Sequence, residues 1–316
     1  MPKRNIVVIG GSAGSHSGLQ TIIRALPKNL PAAIFIVVHV AARSVSFLPT
    51  LLNRIKRMPA ANAEEGEAIK PGRIYVAPPD RHLLLARDHI HLTRGPKEGL
   101  HRPSINLTFR SAATSFGDRV IGVLLSGMLD DGASGLWDIA ARNGVTVIQD
   151  PDEAAFPSMP LNAWEDAPVD FKLKVQQIAP LLTKLVDGNK VEHMHRRLNV
   201  GPKSATEKFS GFTCPECRGP LYEHRIEPPE FRCRVGHLFP LRTLIEEETS
   251  TRERKLYEAI VALEEGADLA DYASRNGADP TEQARLATEA AQLRRQAAMV
   301  RRLIEGSVTP PVESES

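Results

Sequence analysis

The chain has few cysteines. Among 316 residues there are three, Cys214, Cys217 and Cys233, and all of them lie in one short segment. An odd, clustered set of cysteines without an export signal favours metal binding over disulfide bonds. The same pattern predicts a cytoplasmic location for the protein, where thiols stay reduced.

Long apolar runs and an excess of charge of one sign are also lacking. No apolar run is long enough to cross a bilayer, so we expect no membrane insertion. The net charge of +2 is too small to predict a nucleic-acid partner or binding to an anionic membrane. With 42% hydrophobic and 25% charged residues, the composition is that of an ordinary globular protein. The length suggests about two domains.

A strand, a tight glycine-rich turn and a helix follow one another near the start of the chain, in the stretch IVVIGGSAGS. The turn carries Ser12 at its apex, and the N–H groups of the following helix point towards the same place. That arrangement suits a nucleophile whose attack creates an oxyanion. Two other interpretations stay open at this point. A dinucleotide-binding turn would need glycine where Ser12 stands, and Ser12 could simply cap the helix.

Strands and helices continue to alternate as far as about residue 187, which predicts a doubly wound, mainly parallel α/β sheet. Polar residues follow three of the strands, where such sheets bind ligands. Ser12 follows the first strand, His39 the second, and Asp130 or Asp131 the strand that ends at Leu125. A serine, a histidine and a carboxylate at one sheet edge can form a nucleophile, a base and an orienting group. Taken singly, His39 could be an ordinary strand-end histidine, and the two aspartates could belong to a turn.

Several separate motifs, in the same order along the chain, resemble the catalytic domain of the CheB-type protein-glutamate methylesterases of chemotaxis. The resemblance covers about residues 5–182. It implies a Ser–His–Asp triad of Ser12, His39 and Asp131, with the backbone N–H of Met128 at the oxyanion site. We add the N–H of Ala13, at the helix start, as a second oxyanion donor. The motifs are IGGSAGS, VVHV, YVAPPDRHLLL, RPSINLTFRSAA, LLSGMLDDGASG and QDPDEAAFPSMP.

The resemblance implies a serine hydrolase that removes methyl esters from glutamate side chains of chemotaxis receptors, without a catalytic cofactor. It also implies the deamidation of glutamine by the same groups. Because the chain begins at the catalytic strand, we expect a stand-alone form without the receiver domain found in many members. The sequence departs from the usual pattern at Ser15, Val40 and Asn106, so the same chemistry could act on a non-receptor protein. A separate alternative is an adaptor that binds partner proteins through a C-terminal zinc module and helical hairpin while the esterase site is idle or marginal.

A Cys-Pro-Glu-Cys knuckle begins a second, smaller module. Cys214, Cys217, Cys233 and His237 are predicted to bind one structural Zn²⁺ as a filled, tetrahedral Cys₃His site. His224 is an alternative fourth ligand, and a reduced cysteine pair without metal is the simpler interpretation. Similar FRCRVGH segments follow the catalytic domain in some stand-alone members of the family. His193 and His195 lie in the linker before the module, where a metal role is not expected.

The last part of the chain has two helical stripes joined by a turn with Asp279 as N-cap and Pro280 at the first helical position. This predicts a helical hairpin, which either packs only on itself or docks signalling partners. The predicted organisation is a methylesterase domain over 1–187, a linker over 188–208, a zinc-ribbon-like module over 209–240, a helical hairpin over 241–306 and a disordered tail over 307–316.

Overall fold

The computed structural model describes residues 4–189, 191, 203–204, 207–276 and 279–305. The chain divides into two compact units, Met1–Leu244 and Ile245–Ser316, and each is described here by itself. Most of the predicted linker, including His193 and His195, and the predicted tail lie outside the described residues. None of the described helices is both long enough and apolar enough to span a membrane.

A seven-stranded sheet forms the centre of the first unit. The strands of this part of the chain are β1 (Ile6–Gly11), β2 (Ala33–Val38), β3 (Ala60–Asn62), β4 (Ile74–Val76), β5 (His82–Leu85), β6 (Ile90–Thr93), β7 (Val120–Leu124), β8 (Val145–Gln149) and β9 (Phe171–Leu173). The spatial order in the seven-stranded sheet is β3-β4-β2-β1-β7-β8-β9, and every neighbouring pair is parallel. A separate antiparallel hairpin, β5–β6, lies outside this sheet.

Helices connect these strands and bury both faces of the sheet. Along β1, Val7 and Ile9 belong to one hydrophobic core, whereas Ile6 and Val8 belong to the other. Successive side chains of a strand point to opposite faces, so a strand covered on both sides must be apolar throughout. The helices are α1 (Ser15–Ala25), α2 (Leu48–Asn53), α3 (Ile105–Phe116), α4 (Ala133–Ala140), α5 (Ser158–Asp166) and α6 (Val175–Val186).

The strand order places the loops of interest at one point of the sheet edge. The chain runs outwards from β1 through β2 on one side, and returns to pair β7 with the other side of β1. The loops after β1, β2 and β7 therefore meet where the strand order reverses, which is the usual ligand position in open α/β sheets. The predicted doubly wound parallel fold is confirmed.

A small antiparallel sheet follows in the same unit, and we call its residues 209–240 the Cys-rich module. Its interior is a small cluster that includes Cys214, Leu221, Cys233 and Phe239. Such a cluster gives little hydrophobic stabilisation by itself, so a small module of this kind needs a further source of folding free energy. The strands are β10 (Lys203–Ser204), β11 (Phe209–Thr213), β12 (Pro220–Glu227), β13 (Pro229–Cys233) and β14 (Leu238–Pro240).

The helical hairpin consists of α7 (Leu241–Asn276) and α8 (Pro280–Glu305). As predicted, Asp279 caps α8, since its carboxylate accepts a hydrogen bond from the N–H of Thr281 at 3.1 Å. Two ion pairs from Arg294 to Asp268 and Asp271, 3.0 and 2.6 Å long, join the helices beside their alanine contact.

Gly14 and Gly72 have the same left-handed backbone, with φ +75° at each. A Cβ at Gly14 would lie 2.8 Å from Ala155 Cβ and from Ser126 Oγ, whereas one at Gly72 would meet nothing within 4 Å. Both alanine variants carry the strain of a left-handed residue, about 1–2 kcal/mol. We therefore expect Gly14→Ala to lower the free energy of unfolding in urea by more than Gly72→Ala does. Equal losses would contradict the tight packing around the turn.

Candidate functional site

The turn after β1 is held in place by backbone and hydroxyl contacts. The N–H of Ser12 donates to the carbonyl oxygen of Ser126 at 3.0 Å. The hydroxyl of Ser126 in turn donates to the carbonyl of Ala13 at 2.8 Å, and that of Ser15 donates to the carbonyl of Ser12 at 2.7 Å. These bonds tie the turn to the loop after β7, so the backbone position of Ser12 is set by two strands of the sheet.

His39 lies beside this turn. In the register of β1 and β2, Gly11 pairs with Val38, so the residues that follow, Ser12 and His39, emerge next to each other. The N–H of His39 also donates to the carbonyl of Gly11 at 3.3 Å. The parallel pairing thus brings together two residues that are far apart in sequence.

The imidazole of His39 is bonded to Asp131. Its Nε2 lies 2.7 Å from Asp131 Oδ2, and both side chains are less than a tenth exposed. Asp130, the other candidate from the sequence, has a different partner, because its carboxylate accepts a hydrogen bond from the Thr243 hydroxyl. Burial raises the pKa of Asp130 to about 6 although the Thr243 bond opposes the rise.

Asp131 is held by the N-terminus of α3. The amides of Ile105 and Asn106 donate to its two oxygens at 2.8 and 2.9 Å, and the Ser104 hydroxyl lies 3.2 Å from Oδ1. Burial raises the pKa of Asp131, but the hydrogen bond from His39, the charge of nearby imidazoles and the amide bonds outweigh burial and lower it to about 2. Asp131 is therefore ionised at neutral pH.

An ionised carboxylate can only accept hydrogen bonds, so the neutral His39 ring must carry its proton on Nε2. Its Nδ1 is then a free acceptor. This atom is buried and has no hydrogen-bond partner within the described part of the chain. The hydroxyl of Ser12 also makes no hydrogen bond to the residues that the structure describes. The structure joins His39 to Asp131 and leaves the hydroxyl of Ser12 and the Nδ1 atom of His39 without hydrogen-bond partners among the described residues.

Two backbone N–H groups near Ser12 are also free. Within the described residues, neither Ala13 nor Met128 donates its amide to another protein group. The position of the Met128 loop is set by Gly127, whose N–H donates to the carbonyl of Phe156 at 3.0 Å. A Cβ at Gly127 would lie 2.9 Å from Ser12 Cβ, so glycine permits the close approach of this loop to the serine.

The three cysteines and His237 form one cluster in the Cys-rich module. Their ligand atoms all lie within 4.8 Å of one another. The Nδ1 of His237 is 3.7 Å from Cys214 Sγ and 3.5 Å from Cys233 Sγ, and the Sγ atoms of Cys217 and Cys233 are 3.6 Å apart. Tetrahedral Zn²⁺ with ordinary bond lengths places its sulfur and nitrogen ligands roughly 3.5–3.8 Å apart, so the four residues fit the metal. His224, the alternative ligand, is not part of this cluster.

A family model described as CheB methylesterase matches residues 7–182. The chain belongs to the CheB methylesterase family. Among curated relatives, a putative protein-glutamate methylesterase/protein-glutamine glutaminase of Leptospira interrogans is 39% identical over 184 residues, which cover 58% of this chain and 95% of that protein. A protein of Methanosarcina mazei named protein-glutamate methylesterase/protein-glutamine glutaminase 2 is 33% identical, over 58% of this chain and 52% of its own length.

A solved structure agrees with these sequence relatives. The catalytic domain of the Thermotoga maritima CheB methylesterase matches with a TM-score of 0.56 and 33% identity, over 58% of this chain and 98% of that domain. The family resemblance stated from the motifs is confirmed. The Cys-rich module and the hairpin lie beyond the residues that the CheB family model matches.

Sequence reasoning missed His101. Its ring stacks on that of His39, with centroids 3.6 Å apart and 14° between the planes. Burial, together with the neighbouring His39, lowers the pKa of His101 to about 4. The signal was present in the RPSINLTFRSAA motif, which His101 directly precedes, but no periodicity pointed to a contact with His39.

The low pKa of His101 predicts a pH effect on stability. The unfolded chain takes up a proton near the ordinary value of 6.5, whereas folded His101 does so only near 4. Stability is therefore lost as the pH falls from about 7 towards 4. We expect the free energy of unfolding in urea to fall less between pH 7.5 and pH 5 in His101→Phe than in the wild type.

The control is His16→Phe, at an exposed position, which should follow the wild type at both pH values. An equal loss in His101→Phe and the wild type would contradict a folded His101 that resists protonation.

Proposed function

We propose that this protein is a protein-glutamate methylesterase in which Ser12 is the nucleophile, His39 the base and Asp131 the orienting carboxylate. The observation that carries the proposal is the buried 2.7 Å bond between His39 Nε2 and Asp131 Oδ2. It leaves Nδ1 of His39 as an unpaired acceptor, on a residue that neighbours Ser12 in the strand register. Membership in the CheB family supports the same assignment.

The reaction is an acyl transfer in two halves. Ser12 Oγ attacks the carbonyl carbon of a glutamate methyl ester while its proton passes to Nδ1 of His39. Asp131 stabilises the imidazolium that forms, and the proton then leaves with the departing methoxide as methanol. Water attacks the acyl-enzyme while its proton passes to His39, the bond between Ser12 Oγ and the acyl carbon breaks, and His39 returns the proton to Ser12 Oγ as the glutamate side chain is released. In both halves, the neutral His39 tautomer that Asp131 imposes accepts a proton at Nδ1, and the imidazolium that forms then gives this proton to the leaving group.

The amides of Ala13 and Met128 are the oxyanion donors in this proposal. Both are free of other protein partners in the described part of the chain, and both belong to the loops that meet at Ser12. Loss of one such donor typically costs on the order of 3 kcal/mol of transition-state stabilisation. These donors act equally on an amide carbonyl, so deamidation of glutamine, with ammonia as the leaving group, uses the same site.

The substrate in this proposal is a methylated chemotaxis receptor. Exposed apolar side chains flank the site, since Met128 is 53% and Phe156 42% exposed. Phe156 lies close to the serine turn, because a Cβ at Gly14 would be 3.0 Å from its ring. An open, partly apolar rim suits a side-chain ester presented on the surface of another protein rather than a small molecule enclosed in a cavity.

Replacing the nucleophile tests the activity. We expect Ser12→Ala to lower the release of methanol from methylated receptor membranes by roughly 10⁴-fold or more, because no other group can form the acyl-enzyme. The control is Ser17→Ala, an exposed serine on α1, the helix that follows the turn, and it should retain wild-type activity. If the wild type and Ser12→Ala release methanol equally slowly, the adaptor alternative is favoured instead.

We further propose that the Cys₃His cluster holds one structural Zn²⁺. Four protein ligands fill the tetrahedral shell and leave no position for a reactive water, so the metal stabilises the module and takes no part in ester hydrolysis. The small interior of the module supports this role, because metal binding supplies folding free energy that few apolar side chains can give.

Metal analysis tests the ligand set. We expect one zinc per chain by elemental mass spectrometry, and a large loss of bound zinc in Cys217→Ser. His224→Gln is the matched control, and it should keep the full zinc content because His224 lies outside the cluster. Loss of zinc in His224→Gln with retention in Cys217→Ser would overturn the assignment.

We also propose that the hairpin is a docking arm for a signalling partner, which would give the chain a second function. The observation in its favour is a set of exposed apolar side chains along α7, where Val261 is 53% and Leu269 70% exposed. Exposed apolar side chains on a helix can contribute to an interaction site when they lie together on its surface.

A further inference from the structure

A short loop connects the Cys-rich module to the catalytic histidine. This loop, Pro96–His101, lies between β6 and α3, and its last residue stacks on His39 at 3.6 Å. It also runs alongside β14 of the module. The amide of Gly99 donates to the carbonyl of Leu238 at 2.7 Å, and the amide of Leu238 lies 3.4 Å from the carbonyl of Lys97. Through these backbone hydrogen bonds, the loop pairs with β14 at the edge of the module's sheet.

Both metal-binding turns of the module touch this loop. The ammonium of Lys97 pairs with Glu216 at 2.8 Å, and Glu216 lies between Cys214 and Cys217. Gly236, which immediately precedes His237, packs so close to Pro96 that a Cβ would meet its ring at 3.1 Å. Glu216 and Gly236, which contact the loop, are thus sequence neighbours of the predicted metal ligands.

The middle of the loop is anchored to the module by apolar packing. Leu100 packs against the module's own core, which includes Cys214, Cys233 and Phe239. Two of these three core residues are predicted metal ligands. A module that loses its metal would therefore lose order in the surface that Leu100 covers, one residue before His101.

Buried charges join the loop, the module and the helix that holds Asp131. Arg110 on α3 pairs with Glu98 of the loop at 3.1 Å and with Glu230 of β13 at 3.0 Å. The same guanidinium pairs with Asp138 of α4 at 2.9 Å. Glu230 is fully buried and Glu98 nearly so, and a buried ion pair that loses one partner is costly. We therefore expect these ion pairs to fix the positions of the module, the loop and α3 relative to one another.

We propose that His101 is a positioning residue for the base His39 and that the metal-loaded Cys-rich module holds it there. The inference rests on the proposed function of the triad. Asp131 fixes one edge of the His39 ring through Nε2, but a single hydrogen bond leaves the ring able to tilt about that contact. The flat face of His101, parallel to within 14°, removes that freedom and fixes the direction in which Nδ1 points. His101 itself is not bonded to Ser12 or Asp131, so it takes no proton in the reaction.

The first test compares two substitutions of His101. We expect His101→Ala to lower kcat about 10-fold or more with little change in KM, because misdirection of a catalytic group acts on the chemical step. His101→Phe keeps a flat ring and should restore most of the kcat. A purely structural role predicts instead that kcat falls in proportion to the loss of folded protein in both variants. Wild-type kcat in His101→Ala, or no rescue by His101→Phe when both variants are folded, overturns the proposal.

The second test removes the metal from the full-length chain with a chelator and measures labelling of Ser12 by a fluorophosphonate probe. We expect metal removal to slow labelling several-fold in the wild type, and to slow it much less in His101→Ala, where the contact is already lost. Readdition of Zn²⁺ should restore the wild-type rate. An equal slowing in both proteins, or unfolding of the parallel sheet on chelation by circular dichroism, overturns a local effect through His101.

A third measurement is independent of activity. In spectra of ¹⁵N-histidine-labelled protein, the His39 Nε2 proton bonded to Asp131 should shift or broaden when zinc is removed. An unchanged resonance would contradict the coupling.

Labelling by the fluorophosphonate probe also distinguishes the positioning role from the proposed triad, because a wild type labelled no faster than Ser12→Ala refutes the triad. A reactive wild type matched by an equally reactive His101→Ala refutes only the positioning role.

Discussion

The buried contact between His39 and Asp131 is the interaction on which the rest of the site depends. It ties β2 to the loop after β7, and it decides which nitrogen of His39 is free to act as a base. The hydrogen bond from His39 and the charge of nearby imidazoles, together with the amides at the start of α3, keep the Asp131 carboxylate ionised in this buried position. An unsupported buried carboxylate would instead take up a proton and lose its hold on the imidazole.

The support of Asp131 extends well beyond the proposed triad. The side chain of Asn106 accepts hydrogen bonds from Gly132 and Gly135, which joins the start of α3 to the start of α4. One turn further along α3, Arg110 reaches the fully buried Glu230 of the Cys-rich module. The module and the parallel sheet accordingly belong to one compact unit. In this chain, the Cys-rich module, which lies outside the region that the family model matches, thus shares a buried ion pair with the helix that holds Asp131.

Much of the fold followed from local patterns. The apolar β-branched runs of β1, β2, β7 and β8 predicted buried parallel strands, and Asp279 with Pro280 predicted the start of α8. The short elements β3, β9 and α5 were not predicted, because their stability comes from neighbours in the sheet rather than from their own periodicity. The four metal-ligand candidates came from spacing alone, since a knuckle constrains its thiolates locally. His101 could not be found in this way, because its partner lies 62 positions away in the chain and shares no repeat with it.

The sequence by itself determined the class of fold, the family and the side chains available for chemistry, because these depend on residue type and short-range order. Local evidence left open whether Asp130 or Asp131 serves His39, and only the family motif favoured Asp131. The packing gives each aspartate its own partner, because the start of α3 accommodates one carboxylate and Thr243 binds the other. The tautomer of His39, the stacking of His101 and the burial of Glu230 likewise depend on contacts between distant segments. Only the tertiary structure could decide them, because the protonation state and orientation of a group depend on its hydrogen bonds and burial as well as on its residue type.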